Sequence, residues 1–401
     1  MIMNTKNSVR WLYLVVGTAA LLFAGIIYGW SILKAPLASE FGWTASALSL
    51  NFTLTMCFFC FGGMLGGVLM KKLGFRAACL ISAVLAAAGF LISGGLQGNI
   101  TTLYLGYGVI SGLGIGIAYN CIISTVSAWF PDKKGVCSGV LMMGFGASAL
   151  VLGSVADALI GNPSFGWRMA YRVIGIALGV VLLVSALILK KPEGEGAAPA
   201  AKQKQQTSGK DYTTAEMLKS ITFWKAFLCV IFLAAVGNTV ISMAKDLAIS
   251  VGVTASAATV LVGILSVCNG LGRVITGIVF DRVGRRTTMI AANLCAITAA
   301  GITLLAVITH SSVLCVIGLC LTGISYGTCP TISSAFTSEV FGTRYFSMNF
   351  PIMNCNLIFA SFIATGTSLI SGATGGYAAA FVVLLALSVV AMLLNLSLRK
   401  S

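Results

Sequence analysis

The sequence carries twelve largely apolar runs of roughly 20 residues or more, each long enough to cross the ~30 Å hydrocarbon core of a bilayer as a helix. They lie near 11–33, 45–70, 76–96, 101–127, 136–159 and 169–189, then near 222–244, 254–280, 287–308, 312–336, 346–370 and 376–398. Lipid offers backbone groups no water, so a crossing segment must be a helix or part of a closed barrel. Barrel strands are about half this length and alternate in polarity. The reading is therefore an all-α membrane protein. Composition agrees: 9% of residues are charged, against roughly 25% in a soluble domain. The 46 glycines suit helices whose backbones approach closely in lipid.

Lys6 and Arg10 precede the first run, as in a signal peptide, but Trp11–Leu33 is too long for one and lacks a clean cleavage site. It reads as the first span. Between the sixth and seventh runs lies a polar stretch, KKPEGEGAAPAAKQKQQTSGK, rich in Gly, Pro, Ala and charge. This composition predicts a solvated linker. The expected organisation is an N-terminal six-helix bundle over 1–190, a linker over 191–220 and a C-terminal six-helix bundle over 221–401.

Charge sets the expected orientation. Of the 25 Lys and Arg, only Lys34, Arg168, Arg172 and Lys245 fall at the end of the spans opposite the termini, and Arg273 falls within a span. The rest share the side of both termini, which the positive-inside rule makes cytoplasmic. That distribution also accounts for the net charge of +15 without nucleic acid as a partner. The twelve Cys give no disulfide framework, and the C-x-x-C of Cys57 and Cys60 has no second ligand pair. No metal, cofactor, paired-carboxylate or nucleophile constellation is present, so an enzyme is not expected. The absence of G-x-x-x-x-G-K-[ST] argues against direct ATP drive.

The two halves repeat one another. Gly67-Val-Leu-Met-Lys-Lys-Leu-Gly-Phe-Arg76 and Gly277-Ile-Val-Phe-Asp-Arg-Val-Gly-Arg-Arg286 are 210 residues apart. Gly112 and Gly116 match Gly323 and Gly327, and Trp129-Phe130 match Val340-Phe341, at an offset of 211. Two parallel repeats imply two pseudo-symmetric bundles around a central cavity, exposed to each side in turn by rocking of the halves.

The second copy, with Gly277, Asp281, Arg282, Gly284, Arg285 and Arg286, matches the pattern G-x-x-x-D-R-x-G-R-R. On it, the chain resembles the major facilitator superfamily, where this loop acts as a conformational latch. In the first copy Lys71 replaces the acid. Four further stretches resemble the oxalate/formate antiporter family and its bacterial pyruvate transporters. They are Tyr28-Gly-Trp30-Ser, Ala118-Tyr119 with Trp129-Phe-Pro-Asp-Lys-Lys-Gly135, Asp211-Tyr-Thr-Thr-Ala-Glu216, and Asn269-Gly-Leu-Gly-Arg273. The resemblance implies a secondary transporter in a bacterial cytoplasmic membrane, moving a small organic anion, and we expect a monomer.

Arg273 stands out without any resemblance. Eight residues before Asp281, it lies about 12 Å deeper at ~1.5 Å rise per residue. A guanidinium there is costly and does not shed its proton. It must meet an anion, or else backbone carbonyls, or snorkel to the surface. A substrate carboxylate would take two parallel hydrogen bonds from it, and the resemblance implies that role. The resemblance also implies that Tyr28, Trp30 and Tyr119 wall the cavity, where ordinary packing is the alternative. Tyr326, the repeat counterpart of Ile115, is expected to join them.

Oxalate exchangers carry a lysine in span eleven. Here Leu357 stands near that position, and Asn354 and Asn356 offer neutral donors, unless they serve helix–helix bonding. This favours a monocarboxylate such as pyruvate, lactate or formate over oxalate. The alternative is an exporter of an amphipathic drug or metabolite, against which the absence of R-x-x-Q-G in span four weighs. No span holds an acid at the depth of Arg273, so a counter-anion, a co-transported proton and uniport all stay open. Lys245-Asp246 are expected to form an ion pair or gate at the end away from the termini.

Overall fold

A computed structural model describes residues 2–130, 134–190, 211–342 and 345–398. No strand occurs among them, and eleven helices are long and apolar enough to cross a membrane. One of the eleven, Ala45–Gly94, has 50 residues. At ~1.5 Å per residue it is more than twice the thickness of a bilayer core. It breaks at Gly74 (φ 82°, ψ 170°), which separates spans two and three. The helix Ala255–Thr309 breaks in the same way at Gly284 (φ 77°, ψ 173°), giving spans eight and nine. Both glycines adopt a positive φ that a Cβ disfavours. The twelve spans form two six-helix bundles.

The remaining spans sit close to their expected places. Span one comprises Ile2–Ala24, a 3-10 stretch Gly25–Gly29 and Trp30–Leu33. Span four starts at Ile100–Leu103, passes through a π-helical stretch Tyr104–Ser111 and ends with Gly112–Ser127. Spans five and six are Lys134–Gly161 and Gly166–Ile188. Span seven is Ile221–Ser250 and span ten is Ser312–Phe341. Span eleven is broken into Phe346–Asn354 and Asn356–Thr374, and span twelve is Ala378–Leu396. Of the expected linker, 191–210 lies outside the described residues, and Thr214–Lys219 forms a short helix before span seven.

The sequence repeat reappears as packing. A Cβ on Gly116 would lie 2.1 Å from the Phe59 carbonyl oxygen, and one on Gly327 would lie 2.1 Å from that of Asn269. Gly62 and Gly272 stand in the same relation to Leu113 and Ile324, each at 2.3 Å. Glycine at these positions lets span four lie directly on span two, and span ten on span eight. Thr44 and Thr254 cap spans two and eight alike, accepting from the Ala47 and Ala257 amides.

The bundles meet along two seams. In one, span five crosses span eight, and a Cβ on Gly146 would touch the Gly270 backbone at 2.9 Å. In the other, the Thr53 hydroxyl of span two donates to the Ser361 carbonyl of span eleven at 2.6 Å.

Candidate functional site

A cavity of about 30 Å³ lies between the bundles, a fraction of the ~150 Å³ that admits a benzene ring. The first half lines it with Tyr28, Phe59, Tyr119 and Phe145. The second half adds Arg273, Tyr326 and Pro330, and span eleven adds Phe350, Asn354 and Leu357. Tyr119 and Pro330 are repeat equivalents at the offset of 211, so the cavity straddles the pseudo-symmetry axis.

Among the described residues, Arg273 is the one cation in this lining. The residue is 5% exposed. Its Nη2 donates to the Tyr28 hydroxyl at 3.1 Å. Its Nε and Nη1 are buried and make no hydrogen bond in the structure. Among the described residues, none that lines the cavity is acidic. Nη2 keeps a second N–H beside Nε on one edge or Nη1 on the other, so the guanidinium still offers a two-donor fork to two acceptor oxygens in one plane. The Tyr326 hydroxyl is likewise buried and unpartnered.

The local backbone explains how Tyr28 gets there. The 3-10 stretch brings Gly25 against span five, where a Cβ would collide with the Phe145 carbonyl oxygen. That approach places Tyr28 edge-on to Phe145, with centroids 5.3 Å apart, and to Tyr326 at 6.0 Å. Tyr119 packs on Phe145 at 5.0 Å and on Phe59 at 5.2 Å. An aromatic enclosure of this kind keeps water out and strengthens any charge contact inside it.

Five of the seven expected site residues thus come together: Arg273, Tyr28, Tyr119, Tyr326 and Asn354. Trp30 and Asn356 do not line the cavity. The Trp30 indole donates to the Leu48 carbonyl at 3.1 Å, and its ring packs on Tyr107 at 4.8 Å, inside the first bundle. The Asn356 amide donates to Ser333 of span ten at 3.3 Å, the helix–helix bonding that was its alternative, and to the Met353 carbonyl of its own span at 2.5 Å. Phe59, Phe145, Pro330 and Phe350 were not foreseen. For Phe145 a signal existed, since it sits between Gly144, which packs on Thr18 of span one, and Gly146, which brings span five against span eight.

The loop motif lies at one end of the second bundle. Gly284 makes the turn, a Cβ on Gly277 would lie 3.9 Å from Thr331, and Arg282 and Arg286 are exposed. Arg285 approaches Glu339 at 3.8 Å and stacks over Phe336. The Asp281 side chain lies outside the described residues. At the opposite end, Lys245 and Asp246 each find a partner in the other half. Lys245 Nζ is 2.5 Å from Asp157, and Asp246 is 2.7 Å from Lys34 Nζ. Lys34 and Lys245 are buried, with side chains 4% and 10% exposed.

Comparisons with known proteins agree with this architecture. The family model described as Major Facilitator Superfamily matches residues 14–365. The chain is 25% identical to the oxalate:formate antiporter of Oxalobacter formigenes, over 93% of this chain and 88% of that protein. It is 27% identical to monocarboxylate transporter 12 of Rattus norvegicus, over 71% of this chain and 63% of that one. Among solved structures, the xylose transporter XylE from E. coli superposes with a TM-score of 0.74 at 15% identity, over 98% of this chain and 100% of XylE. A bacterial homologue of the human lysosomal transporter Spinster gives 0.73 at 16%, over 98% and 99%.

Proposed function

The chain belongs to the Major Facilitator Superfamily, a family of membrane transporters, and we propose that it carries a small organic monocarboxylate such as pyruvate, lactate or formate by alternating access. The observation that carries this reading is Arg273: buried, aimed into a cavity between the bundles, with Nε and Nη1 unused. Tyr28 takes only one of the two Nη2 hydrogens, so a fork of two parallel N–H groups, Nη2 with either Nε or Nη1, is left for an anion with two coplanar oxygens. The relatives' names, an oxalate:formate antiporter and a monocarboxylate transporter, support an organic carboxylate.

Leu357 narrows the class. It lines the cavity, and among the described residues Arg273 is the one cation in that lining. A dianion would keep one carboxylate unpaired against apolar wall, at a cost of several kcal/mol. A monocarboxylate leaves no such charge. The small, aromatic-walled cavity also gives no support to a bulky amphipathic substrate.

The movement follows from the same charges. The bundles over 1–190 and 221–401 rock about the cavity, with both termini on the basic, cytoplasmic side. The Lys34–Asp246 and Asp157–Lys245 pairs hold the outer end shut. An arriving carboxylate neutralises Arg273, so the loaded seam closes without an uncompensated charge. The unloaded seam closes around a bare guanidinium, which slows its return. Exchange of anions is therefore faster than net flux, and the protein works as a monomer in a bacterial cytoplasmic membrane.

Counterflow into proteoliposomes with labelled pyruvate, lactate, formate and oxalate tests this. Wild type should accumulate at least one monocarboxylate, and Arg273→Gln should reduce that uptake about 100-fold, the loss of two charge-assisted bonds. Undiminished uptake by Arg273→Gln, or a preference for oxalate, would refute the assignment.

A further inference from the structure

The inner piece of span eleven, Phe346–Asn354, presents Phe350 and Asn354 to the cavity. It is poorly equipped to hold itself in place. It has nine residues and contains Pro351. Isolated helices of that length are marginal, and proline removes a backbone bond. At Cys355 the bonding tightens to three-residue steps, Cys355 N to Ile352 O and Ile358 N to Cys355 O, so the joint to Asn356–Thr374 is weaker than a continuous α-helix. Something else must fix its position.

The end of the linker meets this piece at Asn349. That residue is fully buried, and both ends of its amide are used. Nδ2 donates to the Tyr212 carbonyl at 3.0 Å, and Oδ1 accepts from the Thr214 hydroxyl at 2.8 Å. The segment that supplies these groups is itself tied down. The Tyr212 amide donates to the Phe341 carbonyl at 3.0 Å, and the two rings meet edge-on at 5.5 Å. Thr213 and Glu216 form a reciprocal capping box at the start of the Thr214–Lys219 helix. Gly342 (φ 81°) turns the chain tightly against Asp211. The Asp211–Glu216 motif, which the sequence singled out and the cavity does not use, thus becomes a strap. It runs from the end of span ten to the residue before Phe350.

We propose that Asn349 is a positioning residue. Through Tyr212 and Thr214 it fixes the inner piece of span eleven, and so the placement of Phe350 and Asn354 in the substrate cavity. This rests on the position of the cavity and not on the identity of the substrate.

Hydrogen–deuterium exchange of the full-length protein in detergent reads the effect directly. Thr214→Val keeps the side chain's shape and removes one bond, and Asn349→Ser removes both. Each variant should exchange about ten-fold faster over 346–354, with Gly112–Ser127 in span four unchanged. Thr214→Ser should restore the wild-type rate. Unchanged exchange over 346–354 in both variants overturns the proposal. So does loss of protection spread across the whole second bundle, or failure of Thr214→Ser to restore. Pyruvate transport plays no part in this readout, so a wrong substrate assignment leaves it standing or falling on its own.

Discussion

The Arg273 guanidinium donates to the Tyr28 hydroxyl at 3.1 Å, a bond that crosses from span eight of one bundle to span one of the other. It does two things. It joins the halves at the cavity, and it fixes the guanidinium while leaving one fork, the second Nη2 hydrogen with Nε or Nη1, for a ligand. Tyr28→Phe keeps the ring contacts with Phe145 and Tyr326 and deletes only this bond. Hydrogen bonds to charged groups contribute about 1.5–3 kcal/mol, so the half-saturation concentration for counterflow should rise roughly ten-fold or more. The maximal exchange rate should change much less. An unaltered half-saturation concentration would show that Tyr28 does not orient the arginine.

The pairs at the opposite end make a second prediction. Asp246→Asn leaves Lys34 buried without its carboxylate, and removing one partner of a buried pair costs about 3–5 kcal/mol. Asp246 is 36% exposed, so solvent screens part of this, and a shift of about ten-fold toward separation of that end is expected. Spin labels at the ends of spans one and seven should report a longer distance population. The reversed pair, Lys34→Asp with Asp246→Lys, should recover the short one. Identical distance distributions in wild type and Asp246→Asn would remove these residues from any gating role.

Much of this was legible in the residues, and the rest was not for identifiable reasons. Twelve spans follow from apolar length alone, and Arg273 is conspicuous because a charge in such a run has few neighbours to satisfy it. Phenylalanine carries no comparable signal. Phe359 and Phe362 are 51% and 54% exposed, whereas Phe145 is 1% exposed and lines the cavity. In a chain of this composition, only tertiary packing separates them. Trp30 faces away from the cavity because two residues turn a helix by about 200° and a 3-10 stretch by about 240°, so it and Tyr28 leave opposite faces. Asn354 and Asn356 diverge similarly: two helical residues turn about 200°, and Cys355 breaks the helix between them.

The repeat predicts paired packing defects. Gly116→Ala and Gly327→Ala each drive a methyl group into a carbonyl oxygen of the neighbouring span, Phe59 in one case and Asn269 in the other. Backbone must move in both, and overpacking of this kind costs roughly 1–3 kcal/mol or more. Gly63→Ala is the control, since its nearest neighbour is 4.0 Å away. Melting curves in detergent should place both Ala variants well below wild type and Gly63→Ala close to it. Equal melting of all three would contradict the close approach of these helices.

Stability should also depend on pH through Glu40, which lies beyond the end of span one. Arg168 Nη2 donates to its Oε1 at 2.7 Å, and the Trp167 indole donates to Oε2 at 2.5 Å. The hydrogen bond from Arg168, then that from Trp167, holds the Glu40 carboxyl below its ordinary value of 4.5. A carboxyl whose value is lowered on folding stabilises the folded state when ionised. Its contribution is complete above pH 4.5 and fades as pH falls through the lower folded-state value. Both partners are about two-fifths exposed, so the effect is modest and weakens in salt. Glu40→Gln should therefore melt slightly below wild type at pH 7. The gap should close as pH drops below 4.5, and added salt should narrow it. A gap that stays constant across that range would mean that the Glu40 charge does not contribute to holding spans one and six together.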